Sequence, residues 1–359
     1  MTVDAGGWPS DEDALTRRFA ELAGAASPPI ALGIGDDCAV LRPDSGEDLL
    51  WSIDSQEEEV DFRREWMTLE EIGARAAAAA LSDLAGSGAR PLAILLSLGS
   101  AAADPAEELL ALFRGAARIA RSCGAAVVGG DVTRRARGVG VTVAVLGSAP
   151  RGAVLLRRGA RPGDGIWVTG SLGLAAAGLS LLRDRGRSAA EIADAPAVER
   201  FVRPAPRIAE ALWLRERGAA HAMLDLSDGL ARDLSRLCAA SGVGAVLEAE
   251  SVLEAAAAAG ESGLQNALHG GEDLELLLSA GSQSIAAFVK SFTELFGVGL
   301  TRIGEIRSAP GLYLRRAGRE APLIPAGWDH VRAERAAAPA RAGSGPADMA
   351  LNPKGATCE

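Results

Sequence analysis

A mixed α/β fold with two cored domains is what this sequence predicts, and three observations carry the prediction. The chain has 359 residues, 48% of them hydrophobic, and single cores usually stop growing near about 250–300 residues. Apolar runs of strand length alternate with helix-period stretches, which argues against a bundle or a sandwich. The apolar strand VGVTVAVLG (139–147) is followed by the turn-rich string RRGARPGDGIWVTGS, which sets a domain boundary near residue 150.

The elements follow in order. Thr68 and Glu71 have capping-box spacing before an alanine-rich helix that ends near Leu81 and delivers Ser82 and Asp83 at its C-terminal edge. A helix over 105–122 has Asp104 as N-cap, Pro105 in its first position, Glu107 at N3 and Gly124 just beyond its end. AAVVGGD then reads as a strand running into a glycine turn. The second half offers helices near 171–184, 205–217 and 228–240, and strands near 222–226, 244–249 and 273–279. From residue 331 small residues and prolines dominate, too little apolar surface to offset ordering entropy. The organisation expected is therefore 1–150, 151–330 and a disordered tail, 331–359.

Net charge is −10 and no Lys/Arg-rich run occurs, so the electrostatic footprint of a nucleic-acid binder is missing. Lys290 and Lys354 are the only lysines, so a phosphate clamp must use arginine, metal or backbone N–H. Cys38, Cys123, Cys238 and Cys358 lie far apart without a C-x-x-C pair, which disfavours zinc and a disulfide framework. The acidic start MTVDAGGWPSDED lacks the basic and apolar stretches of a signal peptide. The run Ala76–Leu81 is too short for a bilayer span. A soluble, cytoplasmic protein with no membrane association is expected.

Aspartates follow apolar runs or glycine turns in five places: Asp36 and Asp37 in GIGDD, Asp54 in WSIDS, Asp83 in LSDLAGSGA, Asp131 in VVGGD, and Asp225 and Asp228 in LDLSDG. Each alone fits a cap or turn; Asp228, for example, fits the N-cap of a helix beginning at Gly229. Together they ask for a cation, because carboxylates at the ends of buried elements are costly unless paired or metal-bound. Oxygen-only ligands point to a hard ion such as Mg²⁺. Neither G-x-x-x-x-G-K-[ST] nor an H-R-D with D-F-G occurs, which excludes Walker-type and protein-kinase routes to ATP. A carboxylate-rich site binds a polyphosphate only through metal. His221, His269 and His330 lie outside any nucleophile pattern and read as structural.

The strings GIGDD, LSDLAGSGARP, GGDVTR, RRGARPGD, VTGSLGLAAAGL, LDLSDGLARDL, GGEDLEL and GWDH occur collinearly from about Asp11 to Val331. In this order they resemble the thiamine-monophosphate kinase family, within the superfamily of aminoimidazole ribonucleotide synthetase and selenophosphate synthetase. The resemblance implies that superfamily's two-domain fold, with N-terminal sheets pairing in a homodimer. It implies transfer of the γ-phosphoryl group of ATP to thiamine monophosphate. It also implies that Asp37, Ser52, Asp54, Asp83, Asp131, Asp225 and Asp228 surround several Mg²⁺ ions, with Asp36 beside them. Gly130, Asp131, Arg157 and Ser227 would contact ATP, and Glu272 and Trp328 the acceptor. No catalytic base is assigned, since a phosphate monoester has its second pKa near about 6 and attacks as an anion at neutral pH.

The chain departs from the family's D-x-x-V-E-G-x-H-F after Asp54, reading DSQEEEVDF. Asp61 stands at a substrate-side histidine and Glu59 at a glycine, while Ala80, Ser87 and Leu274 replace Asn, Met and an aromatic. The acidic run 57–61 is read as favouring a cationic acceptor, binding another ion, or forming a solvated turn. Two alternatives stay open: a superfamily paralogue acting on another small acceptor, and a non-catalytic Mg-nucleotide-binding protein.

Overall fold

A computed structural model gives the fold and describes residues 30–32, 36–42, 46–103, 105–258, 260–281 and 285–329. The first sheet contains β1 (Ile30–Leu32), β2 (Ala39–Leu41), β3 (Glu47–Glu57), β4 (Arg90–Ser100), β5 (Ala126–Arg134) and β6 (Val139–Pro150), in the order β1-β2-β3-β6-β4-β5. Among the described residues of this sheet, only β4 and β5 pair in parallel. The second sheet contains β7 (Gly165–Thr169), β8 (Ala222–Leu226), β9 (Gly244–Glu248), β10 (Glu275–Ala280), β11 (Leu300–Arg307), β12 (Gly311–Arg316) and β13 (Arg319–Pro322), in the order β13-β12-β9-β11-β7-β10-β8. Among its described residues, the one parallel pair is β12 with β9.

Helix α1 (Leu69–Gly86) is the pillar between the sheets. Its alanine-rich middle, Ile72 to Ser82, is buried on every side, Arg75 included. The capping box forms: Glu71 N donates to Thr68 Oγ1 at 3.3 Å and Thr68 N to Glu71 Oε2 at 2.8 Å. Helix α2 (Ala106–Ser122) crosses α1 where glycines meet backbone. A Cβ at Gly73 would lie 1.9 Å from Leu112 O, and one at Gly115 1.8 Å from Glu70 O. Both helices pack on the same face of the first sheet.

The remaining helices are α3 (Leu174–Val202), α4 (Ile208–Glu216), α5 (Leu230–Ser241), α6 (Ala249–Ala255), α7 (Gly260–His269) and α8 (Val289–Phe296). The main core joins Leu50, Val143 and Leu81 to Phe201, Met223 and Phe292, so it is continuous across residue 150. A second core, with Ile166, Leu224, Leu247 and Ile303, underlies the seven-stranded sheet.

Several elements differ from expectation. Helix α1 extends past Leu81 to Gly86, so Asp83 sits inside its last turn rather than at its edge. Helix α2 begins at Ala106, with Pro105 as N-cap, and Asp104 falls outside the described residues. The helix expected to end at 184 continues to Val202, broken where Gly186 (φ 68°) and Asp194 (φ −158°) leave helical geometry. The expected tail and His330 also fall outside the described residues. Among the described residues, no helix is long and apolar enough to cross a membrane.

Candidate active site

Side chains alternate across a strand, and β3 turns Ser52, Asp54 and Gln56 toward α1. Ser52 Oγ donates to Asp83 Oδ2 at 2.5 Å. Asp225 is the penultimate residue of β8, and the turn after the strand carries Ser227 and Asp228. Asp37 reaches the same place from the segment before β2. The close fit explains Gly86, whose added Cβ would lie 2.6 Å from Asp37 Oδ2 and 2.8 Å from Asp225 N.

A cavity of about 180 Å³ lies at this convergence, lined by Asp54, Asp61, Asp83, Asp225, Asp228 and Glu272, with Ser227 and Trp328 at its edge. Six carboxylates facing one small space repel one another and lose hydration. Burial, then the charges of Asp225, Asp37 and Asp54, pushes the Asp83 carboxyl well up from the usual range. Burial and the charge of Asp37 do the same to Asp225. Asp54 rises to about 6, through burial and then Glu272. Asp37 is also raised by burial, against the pull of Arg157. Asp36 rises to about 6 through burial and Asp37.

Arg157 is the cation at this corner. Its Nε donates to Asp37 Oδ1 at 2.7 Å, and its backbone N–H to Asp36 Oδ2 at 3.2 Å. Asp228 Oδ2 accepts from Arg236 at 2.6 Å. The cap of α5 is not Asp228: the N-cap residue is Gly229, without a side-chain cap. Asp233 takes that part, accepting from the N–H groups of Ser227, Asp228 and Gly229 at 3.0–3.2 Å. Burial and then Asp228 raise its carboxyl to about 7. Asp233 was not singled out from the sequence; its place at the end of LDLSDGLARD, four residues after Gly229, was the available signal.

A larger cavity, about 710 Å³, adjoins the first and shares Asp61, Ser227, Glu272 and Trp328 with it. Glu272 (φ 73°) and Leu274 (φ 49°) both hold left-handed backbone, a strain of about 1–3 kcal/mol each that persists only where surroundings over-determine it. Here Glu272 N donates to Ser227 O, and Leu274 N to Leu226 O. The Asp273 carboxylate accepts from Gly173 N and Ala175 N. The acidic run is neutralised by arginine: Glu57 pairs with Arg135, Glu58 with Arg64 and Glu59 with Arg63. Asp61 Oδ2 accepts from Glu57 N at 2.7 Å, closing the turn.

Gly130 and Asp131 stand apart. The register Asp54–Val143–Leu96–Gly130 places Gly130 three strands from Asp54, about 14 Å at the usual strand spacing. Asp131 is in the next row, with Ser97, Thr142 and Ser55, and so on the sheet face turned away from α1. Within one chain it does not join the cluster.

The carboxylate set suits a hard cation held in the open manner of Mg²⁺. Among the described residues, no three acidic, histidine or cysteine side chains close on one point as a cage. Yet Asp37 Oδ2 is buried without a hydrogen bond from any described residue, beside two more carboxylates whose ionisation burial opposes. Magnesium typically takes one or two carboxylates and fills its octahedron with water and phosphate oxygens.

The AIR synthase related protein family matches this chain twice, by its N-terminal domain over residues 35–149 and by its C-terminal domain over residues 161–315. Thiamine-monophosphate kinase of Rhodopirellula baltica is 32% identical over 325 residues, covering 87% of this chain and 95% of its own. The Escherichia coli K12 protein of that name is 33% identical over 329 residues, covering 89% and 98%. Among solved structures, thiamine-monophosphate kinase from Stenotrophomonas maltophilia K279a has a TM-score of 0.69 at 35% identity, covering 82% of this chain and 93% of that one. AaThiL complexed with AMPPCP and TMP has a TM-score of 0.75 at 27% identity, covering 89% and 97%.

Proposed function

This chain belongs to the thiamine-monophosphate kinase family, and from that premise we propose that it transfers the γ-phosphoryl group of ATP directly to the phosphate of thiamine monophosphate, giving thiamine diphosphate. The observation that carries this reading is the pair of adjoining cavities sharing Asp61, Ser227, Glu272 and Trp328. One offers carboxylates for a metal-bound polyphosphate, and the other has room for an organic acceptor.

Asp37, Asp54, Asp83, Asp225 and Asp228 would hold the magnesium ions, with Ser52 orienting Asp83 and Asp36 fixing the backbone at Arg157. Magnesium bound there would supply positive charge against the phosphates and the charge that develops in transfer. Arg157, fixed by Asp37, supplies a guanidinium to ATP, and the Ser227 hydroxyl faces the phosphates from the turn before α5. The acceptor phosphate needs no base; alignment of its oxygen is the protein's task. Glu272 and Asp61 face the cationic acceptor, and Trp328, 37% exposed, stacks on its ring.

The outer face of the first sheet exposes Trp51, Ile53 and Leu95, at 47%, 67% and 40%. A contiguous apolar patch of this kind suits a second copy. We read the active form as a cytoplasmic homodimer paired across that face, with Gly130 and Asp131 serving a nucleotide site that the second copy completes.

Asp225→Asn tests the metal role. It should lower turnover by at least 100-fold at saturating Mg²⁺ while the melting temperature holds or rises. Unchanged turnover would overturn the assignment.

A further inference from the structure

The helix that delivers Asp83 also delivers Arg75, two turns earlier, and the stripe Arg75–Ala79–Asp83 runs from the larger cavity into the smaller. Arg75 is 1% exposed. Its guanidinium is spent on three elements distant in sequence. Nε donates to Phe201 O at 3.0 Å, one Nη to Gln56 Oε1 at 2.6 Å, and the other Nη to Glu272 Oε2 at 2.6 Å. Its Cζ lies over the Phe201 ring, 4.5 Å from the centroid. Gln56 is buried on the strand face that carries Ser52 and Asp54. Glu272 borders both cavities, on left-handed backbone.

A buried charge this completely coordinated is expensive to retain for stability alone, because an apolar side chain of similar volume is often neutral or better. What an arginine provides here is geometry. Its planar fork holds two acceptors at a fixed separation, in this case the strand bearing the metal-side carboxylates and the carboxylate on the acceptor side. We propose that Arg75 is a positioning residue for acceptor binding: it fixes Glu272 relative to β3, so that the acceptor is presented to the γ-phosphate in line. This rests on the reading of Glu272 as an acceptor contact.

A two-residue cycle decides it, with separate Michaelis constants for thiamine monophosphate and Mg·ATP in wild type, Arg75→Met, Arg75→Lys, Glu272→Gln and the Arg75→Met/Glu272→Gln pair. Arg75→Met should raise the KM for thiamine monophosphate about 10-fold or more and leave the KM for ATP within about 2-fold, the signature of a lost ground-state contact on one substrate. Arg75→Lys, which keeps the charge without the fork, should recover only part of the loss. In the Glu272→Gln background, Arg75→Met should add less than about 2-fold, since groups acting through one another are not additive. Should Arg75→Met fail to fold, Arg75→Lys carries the test: an acceptor KM raised about 3-fold or more at unchanged ATP KM supports the proposal, and wild-type constants overturn it. Equal effects on both substrates, or full additivity with Glu272→Gln, also overturn it while leaving Glu272 in place. A Glu272→Gln enzyme with unaltered acceptor KM removes Glu272 as a contact, and the role of Arg75 falls with it.

Discussion

Asp54→Asn separates charge from packing in the carboxylate cluster. Burial and the charge of Glu272 raise the Asp54 carboxyl from 3.8 to about 6 in the folded chain. The folded protein therefore binds this proton more tightly than the unfolded one. The stability contributed by the protonated group is fully present below the unfolded value and is lost as pH rises through about 6. A shift of about 2 pH units is worth about 3 kcal/mol at the plateau. Asparagine is uncharged throughout, and its amide oxygen can still accept from Ser55 N, which Asp54 Oδ1 does at 2.8 Å. The assay is urea unfolding of both proteins in EDTA, at pH 4 and pH 7.5. Asp54→Asn should be more stable by about 2–3 kcal/mol at pH 7.5, and the two should agree within about 1 kcal/mol at pH 4. A variant less stable at pH 7.5, or a gain independent of pH, would refute the argument that the cluster stores repulsion awaiting a cation.

Gly86→Ala places a methyl against Asp37 Oδ2 and Asp225 N and should reduce kcat more than about 10-fold at a melting temperature lowered by only a few degrees, measured by steady-state kinetics and calorimetry. Trp328→Ala should raise the acceptor KM about 2–30-fold, matching a cation–π contact of about 0.5–2 kcal/mol, with Trp328→Phe restoring most of the loss. Leu95→Glu puts a charge on the exposed outer face of the first sheet and should shift the sedimenting species from dimer to monomer. If that face pairs in solution, turnover falls with it.

Legibility in the sequence followed the range of the interactions. The capping box at Thr68 and Glu71 was readable because both partners lie within one turn, and α1 begins where that box sets it. The aspartates were readable because each follows an apolar run or a glycine, although Asp54 and Asp131 lie within β3 and β5 and Asp83 within α1 rather than at element ends. Which aspartates converge was not readable from periodicity, since the meeting of β3, α1 and β8 is tertiary. The register that turns Asp131 to the opposite face from Asp54 depends on pairing across β6 and β4. Arg75 was invisible for a stronger form of the same reason: its partners Phe201 and Glu272 lie 126 and 197 residues away, and in sequence it is one arginine in an alanine-rich helix. Asp233 was hidden by its neighbour, because Asp228 offers the ordinary cap position and the carboxylate that satisfies those N–H groups comes from inside the helix. The break of α3 at Gly186 lay beyond the expected helix end, where chain continuity across a left-handed glycine has no local signal.

The measurement that bears most directly on the account is product analysis with purified protein, Mg·ATP and thiamine monophosphate, following thiamine diphosphate and ADP together. The account predicts that the two appear in equal amounts, that neither forms in EDTA, and that Asp83→Asn abolishes both. Thiamine monophosphate left unchanged, while another phosphorylated acceptor drives ADP release, would contradict it.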